Sequence, residues 1–202
     1  MLSHVLDPSF EPLLEPYPLD ILAKSEQTMF GLWADLRLAY WNPAWERFAQ
    51  TRGGEDVLTR WPLGTSIVPA LGDVLRDFYV DRYAAALASR TPWEHSYECP
   101  TPTQRNQYRM RVLPLGERGF LVVNSLEVVE AVDDRVEGAT DALEARYRNP
   151  NGFIVQCSNC RRTRHPHNLR GWDWVSAFIA KSPPYTSHGL CAPCYGFYYS
   201  DP

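Results

Sequence analysis

Two Cys-x-x-Cys pairs, Cys157/Cys160 and Cys191/Cys194, constrain this chain more than any other feature. Each pair presents two sulfurs on one side of a tight turn, and two such turns supply the four soft donors of a tetrahedral zinc site. The chain opens with Asp7, Glu11 and prolines 8, 12, 16 and 18 in place of a basic, apolar leader. The expected compartment is therefore the cytoplasm, where thiols stay reduced and serve as ligands before they form disulfides. A closed structural metal site of Cys157, Cys160, Cys191 and Cys194 is the leading reading. A dithiol redox switch and disulfides are its rivals. A tail of some 50 residues has a marginal core, which a structural metal would reinforce. Thirty residues separate Cys160 from Cys191, and the spacing predicts a helix over 171–181 that buries Trp174, Val175, Phe178 and Ile179. His188, three residues before Cys191, is the alternative ligand, but four thiols already complete the shell and leave it a supporting role. His165 and His167 flank Pro166 in a polar loop and are expected to be solvated. Arg161 and Tyr195, not His, follow the two pairs, so covalent haem attachment is not expected.

Charge separates the tail from the body. The whole chain carries a formal −4, yet residues 151–202 carry +3 and residues 1–150 carry −7. Four thiolates around Zn²⁺ leave a formal −2, which Arg161, Arg162 and Arg164 are placed to offset. A zinc-ribbon nucleic-acid binder using those residues with Arg170 is an alternative, against which the acidic balance and a pI near 5.7 weigh. No run approaches the roughly 20 apolar residues of a membrane span.

In the body, the prolines of residues 1–18 argue for an irregular arm, followed by a short helix over 19–27. Phe30–Trp33 and Leu36–Trp41 read as a hairpin. Asn42-Pro43 then offers a cap and a first helical position, with Gly53-Gly54 closing that helix. Leu71, Val74, Leu75, Phe78, Tyr79, Tyr83 and Leu87 follow helical steps between Pro69 and Ser89. Trp93, His95, Tyr97 and Cys99 alternate with polar residues, as in a half-buried strand. Cys99 is expected to be a core residue. Tyr108–Leu115 and Phe120–Leu126 form a last hairpin. Val129, Val132, Val136, Ala139 and Leu143 fall at steps of three and four, predicting a helix over 127–150 whose seam either packs on the body or pairs two copies as a homodimer. The acidic residues of that segment are read as a solvated face. This order gives an α+β chain with one antiparallel sheet and helices on one face.

The residues Tyr40-Trp41-Asn42-Pro43-Ala44-Trp45, Leu63-Gly64-Thr65, Arg109–Leu115 and Gly119–Val123 give residues 19–126 a resemblance to a PAS domain, the small sensory fold of bacterial signalling proteins. Asn124-Ser125-Leu126 stands where that family usually ends in Asp-Ile-Thr. The tail, with Cys157-Ser158-Asn159-Cys160-Arg161-Arg162, Trp172-Asp173-Trp174-Val175 and Ser187-His188-Gly189-Leu190-Cys191-Ala192-Pro193-Cys194, resembles the Cys-rich module found after PAS domains. The resemblance implies a five-stranded antiparallel sheet and four parts: an arm (1–18), a PAS-like sensory domain (19–126), a connecting helix (127–150) and a zinc module (151–202). It also makes Tyr83, His95 and Tyr97 candidates to line a small-molecule cavity, although packed core is the commoner use of such side chains. By the same resemblance haem and flavin are not expected, because haem-binding members carry a His on the main helix, where 74–87 has none, and flavin-adduct members a reactive Cys after an early Asn, where Asn42-Pro43 has no such neighbour. Signatures of hydrolases, P-loop enzymes, zincins and kinases are missing from the sequence. The chain reads as a non-enzymatic sensor that works through a signalling partner.

Overall fold

The computed structural model describes residues 5–51, 59 and 61–199, and the chain divides into two compact units. The first holds residues up to Gly72, Arg76–Ser96 and Arg109–Ser125. Its elements are β1 (Val5–Leu6), a 3-10 turn at Glu11–Leu14, α1 (Leu19–Lys24), β2 (Thr28–Trp33), β3 (Leu38–Trp41), α2 (Pro43–Thr51) and α3 (Arg76–Ser89). Three strands supply residues to both units: β4 (Trp93–Glu98), β5 (Gln104–Pro114) and β6 (Gly119–Ala131). The sheet order is β1-β3-β2-β6-β5-β4, so the five expected strands gain a sixth from the arm. The central β2–β6 pair is antiparallel from Thr28↔Asn124 to Trp33↔Gly119.

Strand alternation sorts the core onto two faces. On one, Tyr83 of α3 meets Phe120 edge-to-face at 5.3 Å and Met110 Sδ through its hydroxyl at 3.9 Å. On the other, Phe10 and Leu14 of the arm and Leu22 of α1 pack with Met29, Leu121 and Val123. Prolines deny the arm a regular helix, but not a place in the core. Phe10 occupies the room that Gly31 leaves: a Cβ there would lie 2.5 Å from its ring.

Asn42 starts α2 as the sequence predicts. Its Oδ1 accepts the Trp45 N–H at 3.1 Å and the Met29 N–H at 3.0 Å, while Nδ2 donates to Leu22 O and Gln27 O at 3.1 and 2.9 Å. One fully buried amide thus satisfies donors and acceptors from α1, β2 and α2. The expected stop at Gly53-Gly54 lies outside the described residues. The helix predicted between Pro69 and Ser89 is shorter: Val68–Leu71 is a 3-10 turn ended by Gly72 at φ 68°, and α3 begins at Arg76.

The second unit holds Asp73–Leu75, Tyr97–Tyr108 and the chain from Leu126. Here the predicted connecting helix over 127–150 is corrected. Residues to Ala131 continue β6, β7 is Arg135–Val136, and only α4 (Thr140–Tyr147) is helical. The β-branched Val128 and Val129 favour extended chain, and the Val132 N–H donates to Thr103 O at 3.0 Å. Gly138, at φ 158°, precedes α4. The proposed seam is thereby divided among β6, β7 and α4, with Val132 and Ala139 between them, and the coiled-coil route to a homodimer falls with it. Leu143 and Tyr147, four apart on α4, pack with Ile154, Val175 and Phe178.

The remaining elements are β8 (Ile154–Cys157), β9 (Thr163–His165), β10 (Asn168–Val175), α5 (Ser176–Ala180), β11 (Thr186–Gly189) and α6 (Ala192–Tyr199). They form a sheet of order β11-β8-β9-β10-β7. The helix predicted over 171–181 is therefore a strand followed by the five-residue α5. Its four apolar residues do enter the core: Trp174, Val175, Phe178 and Ile179 are all buried. Among the described residues, no helix is long and apolar enough to cross a membrane.

Candidate metal centre

Strands β8 and β11 run parallel, with Thr186 opposite Ile154 and Gly189 opposite Cys157. Both chains leave the sheet at the same end, and each turns at once into a Cys-x-x-Cys knuckle. The first closes with the Arg161 N–H donating to Cys157 O at 3.1 Å, Arg161 itself taking a left-handed φ of 61°. In the second, the Tyr195 N–H donates to Cys191 O at 2.8 Å as α6 begins. The Ser158 N–H, donating to Gly189 O at 2.8 Å, ties one knuckle to the other.

The four sulfurs meet. All lie within 4.8 Å of one another, with Cys157–Cys191 at 3.8 Å and Cys160–Cys191 at 3.7 Å. A disulfide would bring two sulfurs to about 2.05 Å, whereas donors about 2.3 Å from a central zinc span tetrahedral edges of about 3.8 Å. The arrangement therefore fits a metal shell. None of the four cysteines is more than 6% exposed, and Trp172 and Leu190 pack against the cluster. Without a cation these thiols cannot all ionise. Hydrogen bonds from Cys160, Cys191 and Cys194 draw the Cys157 thiol far below its ordinary range, while Cys160 is pushed up by its bonds to Cys157, Cys191 and Cys194. A divalent cation is what would let four thiolates share this volume.

Polar groups around the first knuckle hold it in place. Gln156, fully buried, donates from Nε2 to Arg161 O at 3.2 Å and to Phe178 O at 3.0 Å, and its Oε1 accepts from Ser182 Oγ at 2.9 Å. Arg161 reaches the same Ser182 Oγ at 2.6 Å. Burial lowers the Arg161 pKa, and the nearby sulfurs of Cys99 and Cys157 oppose that, which fits the charge-offsetting role. Arg162 instead covers the Trp174 ring at 5.8 Å. His188 is exposed on β11 opposite Gln156, and the four-sulfur cluster forms without it. His165 is half-buried with its ring 6.1 Å from Tyr147, so only His167 is exposed as expected. Asn159, a motif residue to which the sequence assigns no role, reaches the cluster.

Two of the three cavity candidates come together. Tyr83 meets Trp93 edge-to-face at 5.8 Å, and His95 stacks on Trp93 at 5.6 Å with Phe78 at 5.1 Å. Tyr97 belongs to the second unit and stacks on Tyr108 at 5.6 Å. Cys99 is half-buried and stands outside the sulfur cluster.

Burial among these rings, aided by the Arg82 charge, pushes His95 down to about 4. The unfolded chain takes up this proton near pH 6.5, but the folded chain resists until about pH 4. Stability is thus full above about pH 6.5 and is lost as pH falls toward 4. After allowance for solvent screening of a partly exposed ring, the loss is on the order of 1–2 kcal/mol. His95→Phe is expected to remove that part of the acid sensitivity, as urea midpoints at about pH 5 and about pH 7.5 would show.

No protein-family model and no curated protein matches the sequence. Among solved structures, the chain is similar to the PAS domain of BvgS from Bordetella pertussis, with a TM-score of 0.42 and 12% identity over 62% of this chain and 88% of that one. It is also similar to the PAS domain of an HTR-like protein from Haloarcula marismortui, with a TM-score of 0.36 and 16% identity over 59% of this chain and 96% of that one. The chain is an α+β protein that has PAS domains among its structural neighbours and carries four cysteines placed to hold one metal ion.

Proposed function

We propose that this protein is a non-enzymatic, cytoplasmic sensory or signalling module whose second unit is built around a structural zinc ion and whose PAS-like sheet works through a protein partner. The observation that carries the metal part is the set of four buried sulfurs within 4.8 Å of one another, with the Cys157–Cys191 and Cys160–Cys191 pairs at the edge length of a zinc tetrahedron. Zinc suits it best, because a full thiolate shell leaves no open position for a substrate or water, as is usual for a structural site. Burial of every sulfur supports structure over a thiol switch, since reactive thiols need access. The ring packing around His95 and Tyr83 favours a partner-binding body over one that encloses a large cofactor.

The test is elemental analysis of the untagged full chain with a free-thiol count before and after chelation. One zinc per chain, with four thiols released by the chelator, is the expected result. Iron would point to a different S₄ centre. Metal-free protein with fewer than five thiols after denaturation would overturn the reading in favour of disulfides.

A further inference from the structure

Asn159 lies between the two thiols of the first knuckle and is only 7% exposed. Its Oδ1 accepts the Tyr198 hydroxyl at 3.1 Å and the Glu98 backbone N–H at 3.1 Å. A backbone N–H can only donate, so the amide oxygen must face Glu98, and the orientation of the side chain follows from chemistry. Nδ2 is thereby aimed at Cys194 Sγ, 3.3 Å away. This one amide grips α6 twice, at Cys194 and at Tyr198 one turn later. Asn159 thus gives the Cys194 sulfur a side-chain N–H donor from the opposite knuckle.

We propose that Asn159 is a positioning residue of the metal site, an inference that rests on the metal reading above. Its side-chain N–H holds the Cys194 sulfur at its corner of the tetrahedron and draws charge from it, making Cys194 a tighter and less nucleophilic ligand. A hydrogen bond to an ionised acceptor is stronger than a neutral one, and partners that orient metal ligands are worth about 10–100-fold in affinity.

Two measurements on the full chain test this. In wild-type protein loaded with cadmium-113, NMR should detect coupling between the metal and the Asn159 Nδ2 hydrogens, transmitted through the N–H···S bond. Asn159→Asp keeps an acceptor for Tyr198 and Glu98 but has no N–H. It should bind zinc about tenfold more weakly, and Cys194 should become the ligand alkylated first by N-ethylmaleimide. Restoration of the wild-type alkylation order by another N–H donor, Asn159→His or Asn159→Gln, would support the donor role over a purely steric one. A loaded wild-type chain with no such coupling overturns this inference alone, and so does an Asp variant with unchanged affinity and alkylation order. A wild-type chain that takes up neither zinc nor cadmium overturns both this inference and the metal reading. The cadmium experiment needs no variant, so it decides the matter even if Asn159→Asp does not fold.

Discussion

Cys157→Ser is expected to strip the metal and unfold the second unit in one step. Cys157 is fully buried and ends β8, so a serine there removes one thiolate from the shell and leaves a weakly ligating hydroxyl in an apolar site. Structural zinc contributes on the order of 10 kcal/mol or more to small modules of this kind. The core beside it is small, with the clusters around Phe178 and Trp174 comprising five and three buried residues. Metal content should fall from about one per chain to below about a tenth, with loss of the near-ultraviolet circular dichroism of Trp172 and Trp174. Cys99→Ser, outside the cluster, should leave both unchanged. Full occupancy and an unaltered melting curve in Cys157→Ser would refute the structural role.

The largest expected effect in the first unit is that of Asn42→Leu. Leucine keeps the branching of asparagine in a somewhat larger side chain and makes none of its four hydrogen bonds, leaving the Met29 N–H and the Leu22 carbonyl to find new partners in a buried place and the Gln27 carbonyl and Trp45 N–H in a half-buried one. Each unsatisfied buried group costs about 1–3 kcal/mol, so a total of about 3–5 kcal/mol is expected after local relaxation. Asn42→Asp should cost less, because Oδ1 and its two donors survive. Urea unfolding of both variants gives the comparison, and a loss of under about 1 kcal/mol for the leucine would show that the amide is replaceable.

Both of these residues are legible before folding, for the same reason: their chemistry is local. A Cys-x-x-Cys turn and an Asn-Pro helix start each work over three or four residues, and the structure keeps both. The misreadings involve partners brought from elsewhere in the chain. Val129, Val132, Val136, Ala139 and Leu143 have helical spacing, but Thr103 supplies a backbone acceptor at Val132 and only the last of the five joins a helix. Trp174 and Val175 do enter the core as expected, yet from the end of β10, which pairs with β9 and β7. Phe10 and Leu14 sit among prolines in an arm with no periodicity, and a fold was needed to show both completely buried. Asn159 reads as ordinary spacer between two cysteines. Its use depends on Glu98 and Tyr198, 61 and 39 residues away.

The parallel alignment of β8 with β11 also separates the geometry of the sulfur site from the length of chain between its halves. Two neighbouring strand ends set where the knuckles emerge, so the excursion between them can change length wherever it makes none of the contacts that hold the first knuckle or the core. The β9–β10 tip is the natural place for such change: His167, Asn168, Leu169 and Arg170 are all exposed there, and lengthening an exposed loop costs little entropy. A peptide tag inserted at that tip would report on this protein without disturbing its sulfurs.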